Sequence, residues 1–284
     1  MTTEQKSALP DLLDPFEKFA YEPVYVQLNR EFVEEVGFKP GDVVADLACG
    51  PGNIAELVIP KIGSGGTIFE IDPNDKAIAA SKKRHVASAV NIIFIQGRAE
   101  DLFELPPNLE NQIDTVICGN AVHNFADREK AFGNVFRILK AGGTFAFNTG
   151  FFEGSVPEEE QATFLGRWIR HAMRIAVADL GVVRTKGRTE KVEASPIKDL
   201  SPAEYEDLLE QSGFIVEKRG IQTWMLPLSA YHAIAEDPEF LAGAMSKLPP
   251  DIATIALQNS LDFFVEEGKT ASPRDWLTVI AHKH

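Results

Sequence analysis

The residues best placed for chemistry lie in a short turn that joins an apolar run to a stretch of helix length. The segment VVADLACGPGN (43–53) passes from a strand through small residues directly into a helix. Glycine has no side chain, so the backbone N–H groups of such a turn can approach a ligand closely. The turn therefore predicts a ligand site at Gly50 and Gly52. The G-x-G-x-x-G spacing of nicotinamide and flavin enzymes is absent, which ranks a hydride-transferring enzyme low.

A carboxylate follows this turn at an informative distance. Asp72 comes twenty residues after Gly52 and closes the apolar run IFEIDPN. A carboxylate at the end of a second strand can accept hydrogen bonds from both hydroxyls of a ribose. The alternative is that Asp72 only caps the following helix. Its distance from the glycine turn favours the ribose contact.

Two further polar segments follow the third and fourth apolar runs, namely GRAEDL (97–102) and GNAVHN (119–124). With the turn and Asp72, they resemble the ordered motifs of class I S-adenosylmethionine-dependent methyltransferases. The turn resembles the first motif of that family, D-x-G-x-G-x-G, with Ala48 in place of the first glycine. We expect that replacement to cost little room. The resemblance covers residues 36–150 well and the region 201–222 fairly.

The resemblance implies S-adenosylmethionine as the cofactor and a small molecule as the acceptor of its methyl group. It places the alanine N–H and a nearby acid of the third segment against the adenine. Many family members carry aspartate where this chain has Arg98, so the adenine contact falls to Glu100 or Asp101. The predicted cofactor-binding residues are Asp46, Ala48, Gly50, Gly52, Asn53, Asp72, Pro73, Ala99, Glu100 and Asn120.

Three residues are candidates for the catalytic step. A base near the proton of an acceptor contributes roughly 10²–10⁴-fold, and His123 follows the fourth strand at the sheet edge where α/β sites lie. A packed or capping role for His123 is an equal alternative. Tyr21 and Tyr25 resemble aromatic residues that close over the cofactor in similar enzymes, or they pack an N-terminal cap onto the domain.

Alternating strands and helices must position these residues. Apolar, β-branched runs predict strands at 43–48, 67–71, 91–95, 114–119 and 144–150, with helices at 52–62, 74–88 and 126–140 between them. A C-terminal glycine cap is expected for the last helix at Gly142-Gly143. Further strands are predicted at 214–221 and 276–283. This rhythm predicts an α/β, Rossmann-like fold with a seven-stranded, mostly parallel sheet and helices on both faces.

The remaining segments predict a cap and a lid. Residues 1–36 form the N-terminal helical cap, 37–150 the cofactor-binding core, 151–198 a helical lid insertion, and 199–284 the rest of the core with a second helical insertion near 225–268. S-x-x-E patterns at Ser155 and Ser201 predict capping boxes. Apolar residues recur at helical spacing between Phe164 and Ala176, which predicts an amphipathic lid helix. The basic run 184–191 is interpreted as a solvated loop, or as a contact for an anionic acceptor.

Composition narrows the class of protein. The net charge of −14 disfavours nucleic acid as a partner, because its binding usually relies on a positive surface. The two cysteines, Cys49 and Cys118, fit neither a disulfide framework nor a zinc pattern, so no metal is expected. The absence of a membrane span and of a signal peptide predicts a cytoplasmic protein without membrane insertion. Oligomeric state is not predicted.

The sequence thus predicts an enzyme that transfers a methyl group from S-adenosylmethionine to a small, partly apolar acceptor. The accepting atom, oxygen, nitrogen or carbon, stays open. A protein methyltransferase is one alternative, since its core would look similar. Another is a protein that binds the cofactor for a regulatory or non-methylating role, because a fold does not fix a function.

Overall fold

Seven strands form one sheet in the computed structural model, which describes residues 20–178 and 198–284. The strand order is β3-β2-β1-β4-β5-β7-β6. Neighbours from β3 to β5 are parallel, and β7 runs antiparallel to both β5 and β6. The strands are β1 (Val43–Leu47), β2 (Thr67–Asp72), β3 (Asn91–Gln96), β4 (Ile113–Gly119), β5 (Leu139–Thr149), β6 (Phe214–Pro227) and β7 (Ala271–Lys283). The predicted fold class is confirmed.

The central strands are buried on both faces, which accounts for their nearly continuous apolar sequence. Val116, Ile117 and Phe145 are fully buried. The first four strands begin and end within a residue of their predicted limits. The prediction for β5 is wrong at its start, because the chain is already paired at Leu139. Gly142 has a φ of 74° where the register between β4 and β5 shifts, so it forms part of a bulge and does not cap the preceding helix.

Helices cover both faces of the sheet. Those of seven or more residues in the described part of the chain are α1 (Pro23–Val36), α2 (Asn53–Ile62), α3 (Asp75–Arg84), α4 (Arg128–Ile138), α5 (Gly166–Ala178), α6 (Pro202–Gln211), α7 (Leu228–Ile234), α8 (Pro238–Ala244) and α9 (Pro250–Glu266). Buried side chains of α1 and α2 form a core on one face, and those of α4 and α6 form a core on the other. Of the predicted cap, α1 and the residues from 20 onward lie in the described part of the chain.

The two predicted insertions share one apolar core. Phe164 and Trp168 of the first insertion pack against Leu257 and Phe264 of the second. The indole Nε1 of Trp168 donates a hydrogen bond to the carbonyl oxygen of Leu257 at 2.8 Å. The buried face of α5 is the apolar face predicted from the sequence. The insertions therefore form a single helical lobe beside the sheet, although the proposed domain boundaries remain predictions.

One of the two predicted capping boxes is present. The Ser201 side chain accepts from the Glu204 N–H, and the Glu204 carboxylate accepts from the Ser201 N–H. The capping box at Ser155 is wrong: Pro157 precedes the first helical turn, which has no side-chain cap. The last two strands are longer than predicted, since β6 continues to Pro227 and β7 begins at Ala271. The basic run 184–191 lies outside the described residues.

Candidate active site

The glycine turn is folded against a buried polar cluster. Ala48, Gly50 and Gly52 have φ values of 54°, 54° and 84°, in the left-handed region. A side chain at Gly52 would meet His85 Nε2 and Ser81 Oγ at 2.5 Å, whereas one at Gly50 would meet no atom within 4 Å. The cost of having alanine instead of glycine at position 48 is in the backbone, about 1–2 kcal/mol, because φ of Ala48 is positive.

Asp72 ties this turn to the end of β2. Its Oδ2 accepts from the Gly50 N–H at 2.9 Å, and its Oδ1 accepts from the Asn74 N–H at 2.8 Å. A carboxylate offers about four lone-pair sites, so each oxygen retains capacity for a ligand. The Asn74 side chain caps α3 by accepting from the Lys76 N–H. Asp72 is therefore not the helix cap that the alternative interpretation made it.

Two further carboxylates are buried behind the turn. Burial raises the pKa of Asp46 well above its usual range, and the negative charges of Glu70 and Asp72 raise it further. Neither oxygen of Asp46 has a well-formed hydrogen bond. Glu70 accepts a hydrogen bond from the Ser81 hydroxyl, and its Oε1 lies 3.3 Å from Nε2 of His85. On the side of the turn that faces away from the cavity, Glu70 is thus paired with protein groups, whereas Asp46 is buried without such a partner.

A cavity of about 1200 Å³ begins at the other side of the turn. Single-ligand pockets are usually about 300–1,000 Å³, so this one has room for a cofactor and an acceptor together. Eight of the ten predicted cofactor-binding residues line it: Ala48, Gly50, Asn53, Asp72, Pro73, Ala99, Glu100 and Asn120. Asp46 and Gly52 do not line it, since they lie on the protein side of the turn.

The segment after β3 places the two acids predicted near the adenine differently with respect to the cavity. Ala99 and Glu100 line the cavity, and Glu100 is buried, with Oε1 accepting from the Ala126 N–H at 2.8 Å. Asp101 does not line the cavity and forms an ion pair with Lys130 at 3.3 Å. Of the two acids, Glu100 is therefore the one placed to meet a ligand.

The two tyrosine candidates lie in different places. Tyr25 on α1 is buried, lines the cavity and packs edge-to-face on Trp276 at 6.0 Å. Burial raises its pKa, and hydrogen bonds with Asn29 and Asn120 oppose the rise. Tyr21 is exposed, stacks on Arg84 and does not line the cavity. The structure therefore separates Tyr21 from the other candidate site residues.

His123 lines the cavity at the carboxyl end of β4 and is held by two contacts. Its Nδ1 lies 3.0 Å from the Thr149 hydroxyl, and its ring packs on Phe151 with centroids 4.5 Å apart. Burial, together with the positive charges of Arg128 and Arg274, lowers the pKa of His123 to about 3. The imidazole is consequently neutral near pH 7, able to donate or accept a hydrogen bond but a weak base.

The far end of the cavity contains residues that the sequence did not single out. Phe151 and Arg274 line it together with Ile234 and Phe240 of the helical lobe. Arg274 is only 8% exposed, and its Nε donates to the Gly150 carbonyl oxygen at 2.6 Å. Arg274 lies just before the predicted final strand, 276–283, and an arginine there carries no sequence signal of burial. The one available sign was its place two residues before the apolar run WLTVIA (276–281).

Comparisons with known proteins agree with this arrangement. A family model described as a methyltransferase domain matches residues 45–147, from the middle of β1 into β5. This match, the order of the motifs and the sheet all support the resemblance to class I S-adenosylmethionine-dependent methyltransferases.

Two curated relatives that are methyltransferases by name match the chain over different lengths. The chain is 29% identical to demethylmenaquinone methyltransferase of Symbiobacterium thermophilum over 72% of its own length and 80% of the relative. It is 28% identical to the ubiquinone/menaquinone biosynthesis C-methyltransferase UbiE of Legionella pneumophila, over 48% of its length and 55% of that protein. The second match thus spans about half of each chain.

Among solved structures, the YcgJ protein of Bacillus subtilis shares the fold, with a TM-score of 0.56 at 16% identity. The match covers 91% of this chain and 99% of the other.

In the described residues, no helix has the length and apolar character to cross a bilayer. Nor do these residues contain a group of three or more side chains arranged to hold a metal ion.

Proposed function

We propose that the chain binds S-adenosylmethionine in the glycine-turn half of the cavity and transfers its methyl group to a small molecule in the other half. The observation that carries this proposal is the single cavity, which extends from Asp72 and Gly50 to His123 and Arg274. Asp72 would hold the ribose hydroxyls, Ala99 and Glu100 would meet the adenine, and Asn120 would orient the methionine part.

The methyl group of a bound sulfonium is already activated, so the protein's contribution is mainly to align the acceptor and exclude water. Orientation of this kind is worth about 7–11 kcal/mol. Tyr25 and the lobe residues Ile234 and Phe240 would enclose the reacting atoms. His123, neutral and fixed by Thr149, would position the acceptor or take its proton once that proton becomes acidic.

The acceptor half of the cavity suits a small, partly apolar molecule. Its walls include Phe151, Phe152 and Phe240 together with aliphatic residues of the lobe. The names of the curated relatives indicate a quinone-type ring as the first acceptor class to test. Oxygen and nitrogen acceptors remain alternatives, and a protein substrate is disfavoured because the lobe encloses this half.

The test is transfer of a radiolabelled methyl group from S-adenosylmethionine to a panel of small acceptors. The panel contains a demethylated naphthoquinol with a short isoprenoid chain, its oxidised quinone, a catechol and an arylamine. We expect labelled product from the reduced ring and none from the quinone, whose ring carbons are electron-poor. Binding of S-adenosylhomocysteine without transfer to any acceptor would favour the non-methylating alternative. Product from the catechol would indicate oxygen as the accepting atom, and product from the arylamine would indicate nitrogen.

A further inference from the structure

Arg274 is an unusual residue for the position it occupies. It lies in β7 beside the carboxyl end of β5, and it is 8% exposed while lining the acceptor half of the cavity. An arginine is almost never buried unless it is paired. Among the described residues, no carboxylate lies within 4 Å of the Arg274 guanidinium, and its single well-formed hydrogen bond is from Nε to the Gly150 carbonyl oxygen.

The guanidinium therefore keeps most of its hydrogen-bonding capacity. It carries five N–H donors in a planar fork that matches a carboxylate or phosphate. Burial lowers the pKa of Arg274, and this shift is opposed by Tyr231, whose hydroxyl shares a side-chain hydrogen bond with the guanidinium, and by the charge of Asp199. Asp199 itself is exposed at the cavity wall. Lys198, the other cation of this half, is exposed and already paired with Glu204 at 2.7 Å.

Arg274 and His123 share one aromatic side chain. The Cζ atom of Arg274 lies 4.4 Å from the Phe151 ring centroid, and the His123 ring packs on the same residue at 4.5 Å. A ligand against Arg274 is thus also beside the only histidine that lines the cavity in the described part of the chain. An anion there would offset one of the two positive charges that lower the pKa of His123.

We propose that Arg274 binds an oxyanion of the acceptor, so that the preferred methyl acceptor is an aromatic or similarly flat molecule with a carboxylate or another ionised oxygen. This inference rests on the proposed function. It adds that the acceptor half of the cavity selects for negative charge, in a protein whose overall charge of −14 would repel such a molecule elsewhere.

The test compares two probes that differ mainly in charge, 1-hydroxy-2-naphthoate and 1-hydroxy-2-naphthamide, titrated into the protein saturated with S-adenosylhomocysteine. We expect the wild-type protein to bind the carboxylate about 10- to 100-fold more tightly, the range of a hydrogen bond to a charged group. Arg274→Gln should remove this preference, and Arg274→Lys should retain part of it. Lys198→Gln, which alters the exposed cation, should leave the preference intact.

Binding of S-adenosylhomocysteine reports on folding and on the proposed function separately, because it tests the opposite half of the cavity. If the wild-type protein fails to bind it, the proposed function fails first. If it binds and the carboxylate shows no preference over the amide, or if the preference survives in an Arg274→Gln protein that still binds S-adenosylhomocysteine, this inference is wrong. If Arg274→Gln loses S-adenosylhomocysteine binding, the Arg274→Lys protein provides the test. A preference for the carboxylate over the amide as large as that of the wild type would refute the bidentate contact, and a reduced preference supports it.

Discussion

Two glycines of the same turn are predicted to respond differently to one methyl group. In Gly52→Ala the new Cβ would lie 2.5 Å from His85 Nε2 and Ser81 Oγ, both buried. In Gly50→Ala it would meet no protein atom within 4 Å, but it would occupy the wall of the cavity. Both residues have positive φ, so the backbone cost of alanine, about 1–2 kcal/mol, and the gain of about 0.4–1 kcal/mol from a stiffer unfolded chain are similar in the two variants.

The pair therefore isolates the steric contribution. Overpacking of a buried site costs about 1–3 kcal/mol, so Gly52→Ala should have a free energy of unfolding lower than Gly50→Ala by that amount. Gly50→Ala should instead lose at least about tenfold in affinity for S-adenosylhomocysteine, or about 1.4 kcal/mol. Urea unfolding and calorimetric titration measure the two quantities. Equal stability of the two variants, or undiminished affinity in Gly50→Ala, would refute this account of the turn.

Three other variants test separate parts of the account. The pKa of Asp46 is raised in the folded state, so its contribution to stability should fall as the pH rises above about 4. The free energy of unfolding of Asp46→Asn should therefore exceed that of the wild-type protein by an amount that grows with pH, to about 1–3 kcal/mol at pH 7. A difference between the two proteins that does not change with pH in urea titrations would argue against a raised pKa for Asp46. His123→Gln should keep cofactor affinity and reduce turnover by up to about tenfold, the loss expected for one hydrogen bond that positions the acceptor. Because the pKa of His123 is about 3, wild-type kcat/KM should show no histidine inflection between pH 5 and 8, and such an inflection would contradict that value. Ser201→Ala, in a capping box whose own residues do not line the cavity, should lower stability by about 1 kcal/mol without changing cofactor affinity, and a change in affinity would count against its purely local role.

The sequence predicted the elements whose signals are local. The runs around β1, β2 and β4 are continuous and apolar because these strands are buried on both faces, and Ser201 with Glu204 forms a capping box from residues only three apart. Ser155 carries the same pattern, yet it is buried and its N–H donates to the Phe152 carbonyl oxygen. A short motif fails where tertiary packing removes its residue from the helix end.

The parts that sequence reasoning missed depend on long-range contacts. Arg274 becomes a site residue only because β7 lies beside β5, which brings it to Gly150 and Phe151. Similarly, the two lid insertions form one core because Trp168 meets Leu257, eighty-nine residues further along the chain. Neither contact leaves a pattern in the local sequence. The proposed cofactor half was more predictable, since the residues that line it follow strand ends in a regular order.

The most direct test of the central claim is a calorimetric titration of the wild-type protein and Asp72→Ala with S-adenosylhomocysteine, with NADH as the control ligand. The account predicts micromolar binding to the wild-type protein, no detectable binding to a folded Asp72→Ala, and no binding of NADH. Binding of NADH instead, or full affinity in Asp72→Ala, would contradict the assignment of this cavity to S-adenosylmethionine.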